Sequence, residues 1–304
     1  MPERGPKLVC CGSAVLDHVF DVIAIPDHPT KVPASRYRQS GGGMAATGAV
    51  AAAALGGRAE FWGMLGTDAT GTMVAQLLAD AGVDISGTVR SDQATTPVST
   101  VMVDSAGERL LAFYPGSRPA GAEKMLPLDR LAGARAVLAD VRWVDGALAV
   151  LDAAGALGIP RILDVDVSPD PRLPELIARA DHAIFSRGGL ESVSGKGDPE
   201  IGLLRVRQIT GGVVGVTLGA DGFLWLDGSE MRQESAFQVA VRDTNGAGDT
   251  FHGAYALAIA EGRSIAAAAR FANAAAALKC VNGGGWAGMP DRAEVESLIA
   301  EKAP

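Results

Sequence analysis

The chain has 304 residues and a formal net charge of -8, and 48% of its residues are hydrophobic while 5% are aromatic. This length and composition are typical of a soluble α/β enzyme, and the acidic balance argues against nucleic acid as a partner. The three cysteines have no metal-ligand spacing and fit a reduced, cytoplasmic interior. The N-terminal residues do not resemble a signal peptide, and no apolar run is long enough to predict a membrane span.

The N-terminal part of the chain predicts a buried strand, a projecting flap and a helix. The strand runs from Leu8 to Asp17 and ends on a carboxylate, at the edge where α/β sheets bind ligands, although a turn-forming Asp is the alternative. Residues 18–39 contain three prolines and predict short strands or a flap. An Ala-rich helix follows over Met44–Leu55. The spacing Gly41-x-Gly43-x-x-Ala46 before and within it matches a relaxed dinucleotide fingerprint, but it lacks the preceding buried strand and the required acidic residue.

The middle of the chain predicts a hairpin and then an alternation of strands and helices. Thr96–Tyr114 contains two predicted strands around a turn at 104–108. The strands that follow are expected at 136–139, 159–165, 182–186 and 212–218, and the helices at 145–157, 174–180 and 199–210. This alternation predicts right-handed crossovers and a parallel sheet. Gly195-Lys196 does not complete a Walker A motif, because residue 190 is Leu and residue 197 is Gly.

The most informative stretch is Arg242–Phe251, which joins a predicted strand at 236–241 to a predicted helix at 251–260. Its small residues predict a turn with free backbone N–H groups at a helix N-terminus, which is a site for an anion such as a phosphate. A carboxylate beside a phosphate is repelled by it, so Asp249 is interpreted as a general base toward a hydroxyl that attacks phosphorus. The alternative interpretation is that Asp243 and Asp249 merely cap the helix.

The run Asp243-Thr244-Asn245-Gly246-Ala247-Gly248-Asp249 resembles the C-terminal signature of the ribokinase, or pfkB, family of sugar kinases. The glycines at 41–43 are similar to the N-terminal signature of the same family, and the likeness extends from Leu8 to Ile299. It implies a single ribokinase-like domain over 1–304, an α/β fold in which a mostly parallel sheet lies in a three-layer α/β/α sandwich. A small β-sheet lid is expected over about 17–39 and 95–115.

The resemblance implies a role for each matching residue. Asp249 is expected to be the catalytic base. The anion hole and the sugar-binding and nucleotide-binding residues are expected as follows: Gly246, Ala247 and Gly248 in the anion hole; Asp17, Gly41, Gly42, Gly43 and Thr47 against the sugar; Thr217, Gly219, Gly222, Asn273 and Gly284 against ATP. Thr47 stands where many members of the family carry Asn.

The resemblance also implies cofactors and assembly. ATP and Mg²⁺ are expected, and a monovalent cation such as K⁺ is implied near Asp243 by family analogy. Where the family usually carries Asn-x-x-Glu, this chain has Ser186-Arg187-Gly188-Gly189, so no metal ligand is assigned. A homodimer formed through the lid is expected, with sugar and ATP as the small-molecule partners and no membrane partner.

Several segments resemble sulfofructose kinase-like members of the family, which hold a sulfonate with a Lys, an Arg and an Asn. Lys31 and Arg142 match the first two, whereas Phe113 occupies the place of the Asn. The substrate is therefore expected to be a ketohexose-like sugar, either 6-deoxy-6-sulfofructose or a neutral sugar such as fructose or ribose. Lys31 and Arg142 could instead be a solvated charge and a structural ion pair. A nucleoside kinase and a non-catalytic sugar-binding sensor are the remaining alternatives.

Overall fold

A computed structural model describes residues 5–106 and 108–302. The strands are β1 (Lys7–Cys11), β2 (Val15–Val22), β3 (Ala34–Gly42), β4 (Arg58–Trp62), β5 (Met64–Gly66), β6 (Val89–Ser91), β7 (Val98–Val103), β8 (Arg109–Tyr114), β9 (Ala134–Asp140), β10 (Arg161–Val165), β11 (His182–Ser186), β12 (Val213–Thr217), β13 (Phe223–Asp227) and β14 (Glu230–Glu234). The α-helices are α1 (Met44–Ala54), α2 (Ala69–Asp80), α3 (Val144–Ala156), α4 (Leu173–Arg179), α5 (Arg187–Ser194), α6 (Pro199–Val206), α7 (Ala247–Ala260), α8 (Ile265–Asn282) and α9 (Arg292–Glu301).

The main sheet has eight strands in the order β14-β13-β12-β11-β10-β9-β1-β4. Six of its strands are parallel, namely β4, β1, β9, β10, β11 and β12. Strands β13 and β14 add an antiparallel edge next to β12. Side chains alternate between the two faces of a strand, so Leu8 and Cys10 of β1 join one buried cluster while Val9 and Cys11 join another. The first cluster includes residues of α1, α2, α7, α8 and α9, and the second includes residues of α3, α4, α5 and α6. These layers confirm the predicted α/β/α sandwich.

A separate four-stranded sheet, which we call the small sheet, has the order β3-β2-β7-β8. Strands β2 and β7 are parallel, and the two outer pairs are antiparallel. Gly107, in the predicted hairpin turn, lies outside the described residues. None of the helices in the described ranges combines the length and the apolar character that a bilayer crossing demands.

Two sequence-based assignments near the site are wrong. The strand predicted over Leu8–Asp17 ends at Cys11, and Asp17 belongs to β2 of the small sheet. The chain leaves the main sheet there because the Ser13 N–H donates to the buried Asp140 carboxylate at 2.8 Å and so does not continue the strand ladder. The strand predicted at 236–241 has no strand assignment in the structure. Burial alternates over residues 237–240, where Phe237 and Val239 are less exposed than Gln238 and Ala240, but Val241 is 59% exposed and the segment has no partner strand.

The carboxyl ends of β9, β10, β11 and β12 lie at one edge of the main sheet because these strands are parallel. This edge brings Asp140, Asp164, Ser186 and Thr217 to the same side of the molecule. Ligands of open α/β sheets bind outside such an edge. The fold therefore places the polar strand ends where the sequence motif of 243–249 also arrives.

Candidate active site

The motif of residues 243–249 forms the loop before α7 and the first turn of that helix. Gly246 has a φ of 73°, a left-handed conformation that favours glycine. The Ala247 N–H donates to the carbonyl of Thr244 at 3.2 Å, whereas the N–H groups of Gly246 and Gly248 make no backbone hydrogen bond within the described ranges. A Cβ added to Gly248 would meet no atom within 4 Å, so its surroundings are open. The amides of Gly246 and Gly248 are thus free to bind an anion at a helix N-terminus.

Two cavities meet at this turn. The first, which we call the Asp17 cavity, has a volume of about 350 Å³ and is lined by Asp17, Gly246 and Asp249 among others. The second, the Thr217 cavity, has a volume of about 420 Å³ and is lined by Thr217, Ala247 and Gly248 among others. The turn is therefore a shared wall, with the carboxylate of Asp249 on one side and the start of α7 on the other.

Most of the predicted site residues lie in one cavity or the other. The Asp17 cavity contains the predicted sugar residues and the base, namely Asp17, Gly41, Gly42, Gly43, Thr47, Arg142, Gly246 and Asp249. The Thr217 cavity contains the predicted nucleotide residues and the rest of the turn, namely Thr217, Gly219, Gly222, Asn273, Ala247 and Gly248. Lys31, Gly284 and Asp243 line neither cavity.

The Asp17 carboxylate is held where a polyol could reach it. Its Oδ1 accepts a hydrogen bond from the Ser99 hydroxyl at 2.5 Å. Burial raises the pKa of Asp17, and the Ser99 hydrogen bond acts in the opposite direction. A Cβ on Gly42 would lie 2.3 Å from Asp17 Oδ2, so glycine is needed for this approach. The second oxygen of Asp17 can accept hydrogen bonds from ligand hydroxyls.

Trp286 forms an apolar wall of the Asp17 cavity that sequence reasoning missed. Its indole N–H donates to Thr47 Oγ1 at 2.9 Å, and its ring packs so closely on Gly41 that a Cβ there would lie 2.1 Å from the ring. Thr47 therefore orients Trp286, and its hydroxyl hydrogen is still available as a donor. The Gly-Gly-Gly-Trp run at 283–286 could have signalled an aromatic beside the cavity.

Asp249 lies in an acidic environment at the end of the Asp17 cavity. Burial and the neighbouring carboxylate of Asp164 raise the pKa of Asp249 to about 7. Asp164 is buried beside His252, with 3.2 Å between Asp164 Oδ2 and His252 Nδ1. His252 Nδ1 also lies 2.8 Å from the carbonyl of Gly248, so the ring donates to that carbonyl, and burial lowers the pKa of His252 to about 4. A carboxyl group that titrates near neutral pH is well matched to general-base chemistry.

Asp140 joins the segments around the Asp17 cavity and was missed as a site residue. It is fully buried. Its Oδ2 accepts hydrogen bonds from the Ser13 N–H at 2.8 Å, the Ser13 hydroxyl at 2.9 Å and the Ala45 N–H at 3.0 Å, and its Oδ1 accepts from the Arg142 N–H at 2.8 Å. One carboxylate thus fixes the end of β1, the start of α1 and the segment after β9.

The three residues considered for sulfonate binding are not assembled into an anion site. The guanidinium of Arg142 is committed to Asp166 at 2.6 Å and to the carbonyl of Val167 at 2.7 Å. Lys31 is exposed in the segment between β2 and β3. Phe113 lines the Asp17 cavity and is 49% exposed. Of the two predicted cations, Arg142 reaches this cavity and Lys31 does not.

The predicted nucleotide residues differ in what they do. Asn273 is 6% exposed, and its amide nitrogen donates to the carbonyls of Glu234 at 2.9 Å and Ser235 at 3.2 Å, so the alternative of a solvent-exposed side chain is wrong. This side chain fixes the end of β14, from which the chain continues along the Thr217 cavity. Gly284, with a φ of 72°, caps a short helical turn instead of lining that cavity.

Among the described residues no group of three or more His, Cys, Asp or Glu side chains is arranged to hold a metal ion. Asp166 lies just beyond the end of β10 and accepts a hydrogen bond from the Ser186 hydroxyl at 2.8 Å. Asp166 also contributes to raising the pKa of Asp249, which places its charge near the turn. Ser186 stands at the first position of the absent Asn-x-x-Glu, and Asp166 follows the neighbouring strand β10.

Comparison with known proteins agrees with this geometry. The family model for pfkB family carbohydrate kinase matches residues 6–292. Ribokinase from Bacillus subtilis (strain 168) is 31% identical over 300 residues, which cover 95% of this chain and 98% of that protein. The structure of Arabidopsis thaliana ribokinase complexed with ribose and ATP has a TM-score of 0.85 and 28% identity, covering 99% of this chain and 100% of that one. Fructokinase with bound ATP from Xylella fastidiosa has a TM-score of 0.81 and 27% identity, covering 98% and 99%. The chain therefore belongs to the pfkB family of carbohydrate kinases and is a phosphotransferase of the ribokinase type.

Proposed function

We propose that this kinase transfers the γ-phosphoryl group of ATP to a hydroxyl of a neutral pentose or ketohexose, with ribose and fructose as the leading candidates. The observation that carries the proposal is the shared wall of residues 246–249 between the two cavities. A base on one side and free amides on the other are what in-line phosphoryl transfer between two bound substrates requires.

The polar lining of the Asp17 cavity supports a sugar as the acceptor. Asp17, Ser99 and Asn245 present hydrogen-bonding groups, and Trp286 supplies an apolar surface. A small number of convergent polar groups on an apolar wall is typical of sites for small polar molecules. The related ribokinase and fructokinase named above act on neutral sugars, which supports the same class of substrate here.

The Thr217 cavity supports ATP as the donor. Thr217, Gly219 and Gly222 lie at the end of β12, and Ala276 and Ala277 of α8 provide an apolar surface on which an adenine could lie. Ala247 and Gly248 bring the N-terminus of α7 to the same cavity, where it would meet the phosphates. The ribokinase and fructokinase structures with bound ATP support this assignment.

The proposed chemistry uses groups already in place. Asp249 takes the proton of the sugar hydroxyl as its oxygen forms a bond to the γ-phosphorus, and the bond from that phosphorus to the β,γ-bridging oxygen breaks to release ADP. The amides of Gly246 and Gly248 donate to the phosphoryl oxygens, whose charge increases in the transition state. The alternative of helix capping fits Asp243 better than Asp249: Asp243 Oδ1 accepts the Asn245 N–H at 2.9 Å, whereas the Asp249 side chain accepts no hydrogen bond from a backbone N–H in the described ranges.

Mg²⁺ fits this site as an ion that arrives with the nucleotide. No protein cage of three acidic, His or Cys ligands is formed in the described part of the chain, and Mg²⁺ usually retains several waters. Asp166 is the carboxylate that we expect to orient those waters, with Ser186 donating to it at 2.8 Å. When bound, the ion neutralises charge on the phosphates.

The sulfofructose hypothesis is the second candidate, and the arrangement of its three residues gives it less support. Arg142 has its guanidinium engaged by Asp166, Lys31 is exposed outside the cavity, and Phe113 cannot donate a hydrogen bond. A sulfonate would have to displace the Arg142–Asp166 ion pair. Arg142 does line the Asp17 cavity, which is the one observation in favour of an anionic sugar.

We also propose that the small sheet pairs with a second copy of the chain. Strand β8 is an edge strand, and all six of its residues are exposed. Leu110, Leu111, Phe113 and Tyr114 are each 49–57% exposed on it. An apolar edge strand of this kind is normally covered. Light scattering at micromolar concentration should give twice the mass of the chain, and Leu110→Glu should give a monomer; a monomeric parent protein would reject this pairing.

One assay tests the substrate proposal. ADP release is measured with ribose, fructose, 6-deoxy-6-sulfofructose, fructose 6-phosphate and adenosine as acceptors, each with MgATP. We expect the highest kcat/KM with ribose or fructose. A higher value with sulfofructose would favour the anionic-sugar candidate, and a higher value with adenosine would favour a nucleoside kinase.

A further inference from the structure

Lys279 is a buried cation with no obvious partner. It lies on α8, its side chain is 1% exposed, and its Nζ makes no hydrogen bond to any of the described residues. It lines the Asp17 cavity next to Asn245 and Gly246 of the anion-hole loop. Burial lowers the pKa of Lys279, while the negative charge of Asp243 raises it. An ammonium group in such a position needs a compensating carboxylate nearby.

Asp243 is the carboxylate whose charge raises the pKa of Lys279, although the two side chains form no direct ion pair, and Asp243 binds a second cation directly. Arg109, on edge strand β8 of the small sheet, donates from Nη2 to Asp243 Oδ1 at 2.7 Å and to the Thr244 hydroxyl at 3.0 Å. Asp243 Oδ1 also accepts the N–H of Asn245 at 2.9 Å. The loop before Gly246 is thus hydrogen-bonded to the guanidinium of Arg109 on β8 and lies near the ammonium of Lys279 on α8.

The surroundings of Asp243 do not fit a bound K⁺. A monovalent cation needs several free oxygen ligands, but Asp243 Oδ1 already accepts two donors, which leaves Oδ2 as the free oxygen of this carboxylate among the described contacts. The carbonyl of Cys280 accepts the N–H groups of Arg242 at 2.9 Å and Asp243 at 3.1 Å. With Arg109 and Lys279 charged, two positive charges already neighbour one carboxylate, and a third would be repelled by both.

We propose that Lys279 and Arg109 are the built-in counter-ions of Asp243, and that this kinase therefore reaches full turnover without a monovalent cation. Both act as positioning residues. They fix Asp243, which holds the N–H of Asn245 next to Gly246, and so they set the direction of the free amide of Gly246. The charge that a dissolved ion would supply to this loop is provided by the chain itself.

The first test is the cation dependence of the parent enzyme. Turnover is measured in tetramethylammonium chloride and in KCl at equal ionic strength, with whichever acceptor gives the highest kcat/KM. We expect the two rates to agree within about twofold, since no ion has to bind. Activation by K⁺ of tenfold or more would overturn the proposal.

The second test removes the buried charge. In tetramethylammonium chloride, Lys279→Met should lose about 10–100-fold in kcat, as is typical when a group that supports a site residue is removed. Adding KCl or NH₄Cl should restore most of the loss, because a small cation can then enter beside Asp243. Lys302→Met, at an exposed position, is the matched control and should resemble the parent enzyme in both salts. A folded Lys279→Met enzyme that no cation restores would overturn the proposal.

A third measurement needs no substrate. A ligand that binds only the folded state raises the melting temperature, so KCl at constant ionic strength should stabilise Lys279→Met and leave the parent protein unchanged. If Lys279→Met does not fold, Arg109→Gln takes its place, since Arg109 is partly exposed and its loss leaves Asp243 accessible. A K⁺-dependent rise in the melting temperature of the parent protein would contradict the built-in counter-ions.

Discussion

Asp249 and Ala247 are two residues apart in the first turn of α7, yet they line different cavities. The Asp249 side chain faces the cavity that contains Asp17, and Ala247 lies at the cavity that contains Thr217. In the proposed function, this helical turn separates the acceptor hydroxyl in one cavity from the phosphate donor in the other. Reacting groups held in this way gain much of their rate from proximity.

The first prediction concerns pH. Because Asp249 must be deprotonated to act as a base and its pKa is raised to about 7, kcat/KM should rise with pH through about 7 and then level off. Burial is the largest cause of this shift and Asp164 is the carboxylate that contributes most to it, so Asp164→Asn should move the acidic limb to lower pH. The pH–rate profile from pH 5 to 9 measures both effects.

Asp152→Asn serves as the control for this experiment, because Asp152 is an exposed carboxylate on α3 that pairs with Arg179. Its profile should match that of the parent enzyme. If kcat/KM of the parent enzyme instead rises with pH near pH 4, Asp249 is not the titrating group or its pKa is not raised.

The second prediction concerns the approach of Gly42 to Asp17. A Cβ at residue 42 would lie 2.3 Å from Asp17 Oδ2 and would push the carboxylate away from the cavity. Gly42→Ala should therefore raise the KM for the sugar by at least about tenfold, equivalent to losing about 1.4 kcal/mol of binding, with little change in the KM for ATP. Gly211→Ala, at a glycine with no atom within 4 Å of an added Cβ, should change neither constant. Equal effects of the Gly42 variant on both substrates would argue against a sugar site at Asp17.

The third prediction concerns the nucleotide side. Asn273→Ala removes two hydrogen bonds to the carbonyls of Glu234 and Ser235 and so releases the segment that borders the Thr217 cavity. The KM for ATP should rise by about tenfold while the KM for the sugar stays within about twofold. Asn282→Ala, at an exposed Asn on the same helix, is the control. A selective change in the sugar KM would contradict the assignment of the two cavities.

The fourth prediction concerns stability. Asp140→Asn would turn an NH₂ group toward buried N–H donors and leave at least one of them without an acceptor. The free energy of unfolding should fall by about 2–4 kcal/mol, which would lower the melting temperature by roughly 4–10 °C. Asp92→Asn, at an exposed carboxylate, should have the same melting temperature as the parent protein. An unchanged melting temperature for Asp140→Asn would show that this carboxylate does not hold the three segments together.

The sequence was most informative where function depends on local geometry. Gly246, the start of α7 and Asp249 lie within four residues, so turn chemistry and helix periodicity are sufficient to predict the turn and the helix that follows it. The alternation of strands and helices likewise predicted the parallel sheet, because each crossover is a local pattern.

The sequence was least informative where contacts join distant segments. Trp286 and Thr47 are 239 residues apart, and the local sequence around each of them does not predict their hydrogen bond. Ser99 reaches Asp17 across 82 residues in the same way. The alternation at 236–241 misled the strand assignment, because period two reports which side chains are buried and not whether a partner strand is present.

The most direct test of the account is the turnover of Asp249→Asn with the preferred sugar and MgATP at pH 8. We predict a fall in kcat of about 10²–10⁴, with ATP still bound, because the general base is lost while the amides of Gly246 and Gly248 remain. Folding is checked by the melting temperature, which should equal or exceed that of the parent protein at pH 8. The reason is that a carboxyl group with a raised pKa is costly to ionise in the folded state, so removing it relieves that cost above pH 7. A folded Asp249→Asn enzyme that turns over at nearly the parent rate would contradict the proposed chemistry.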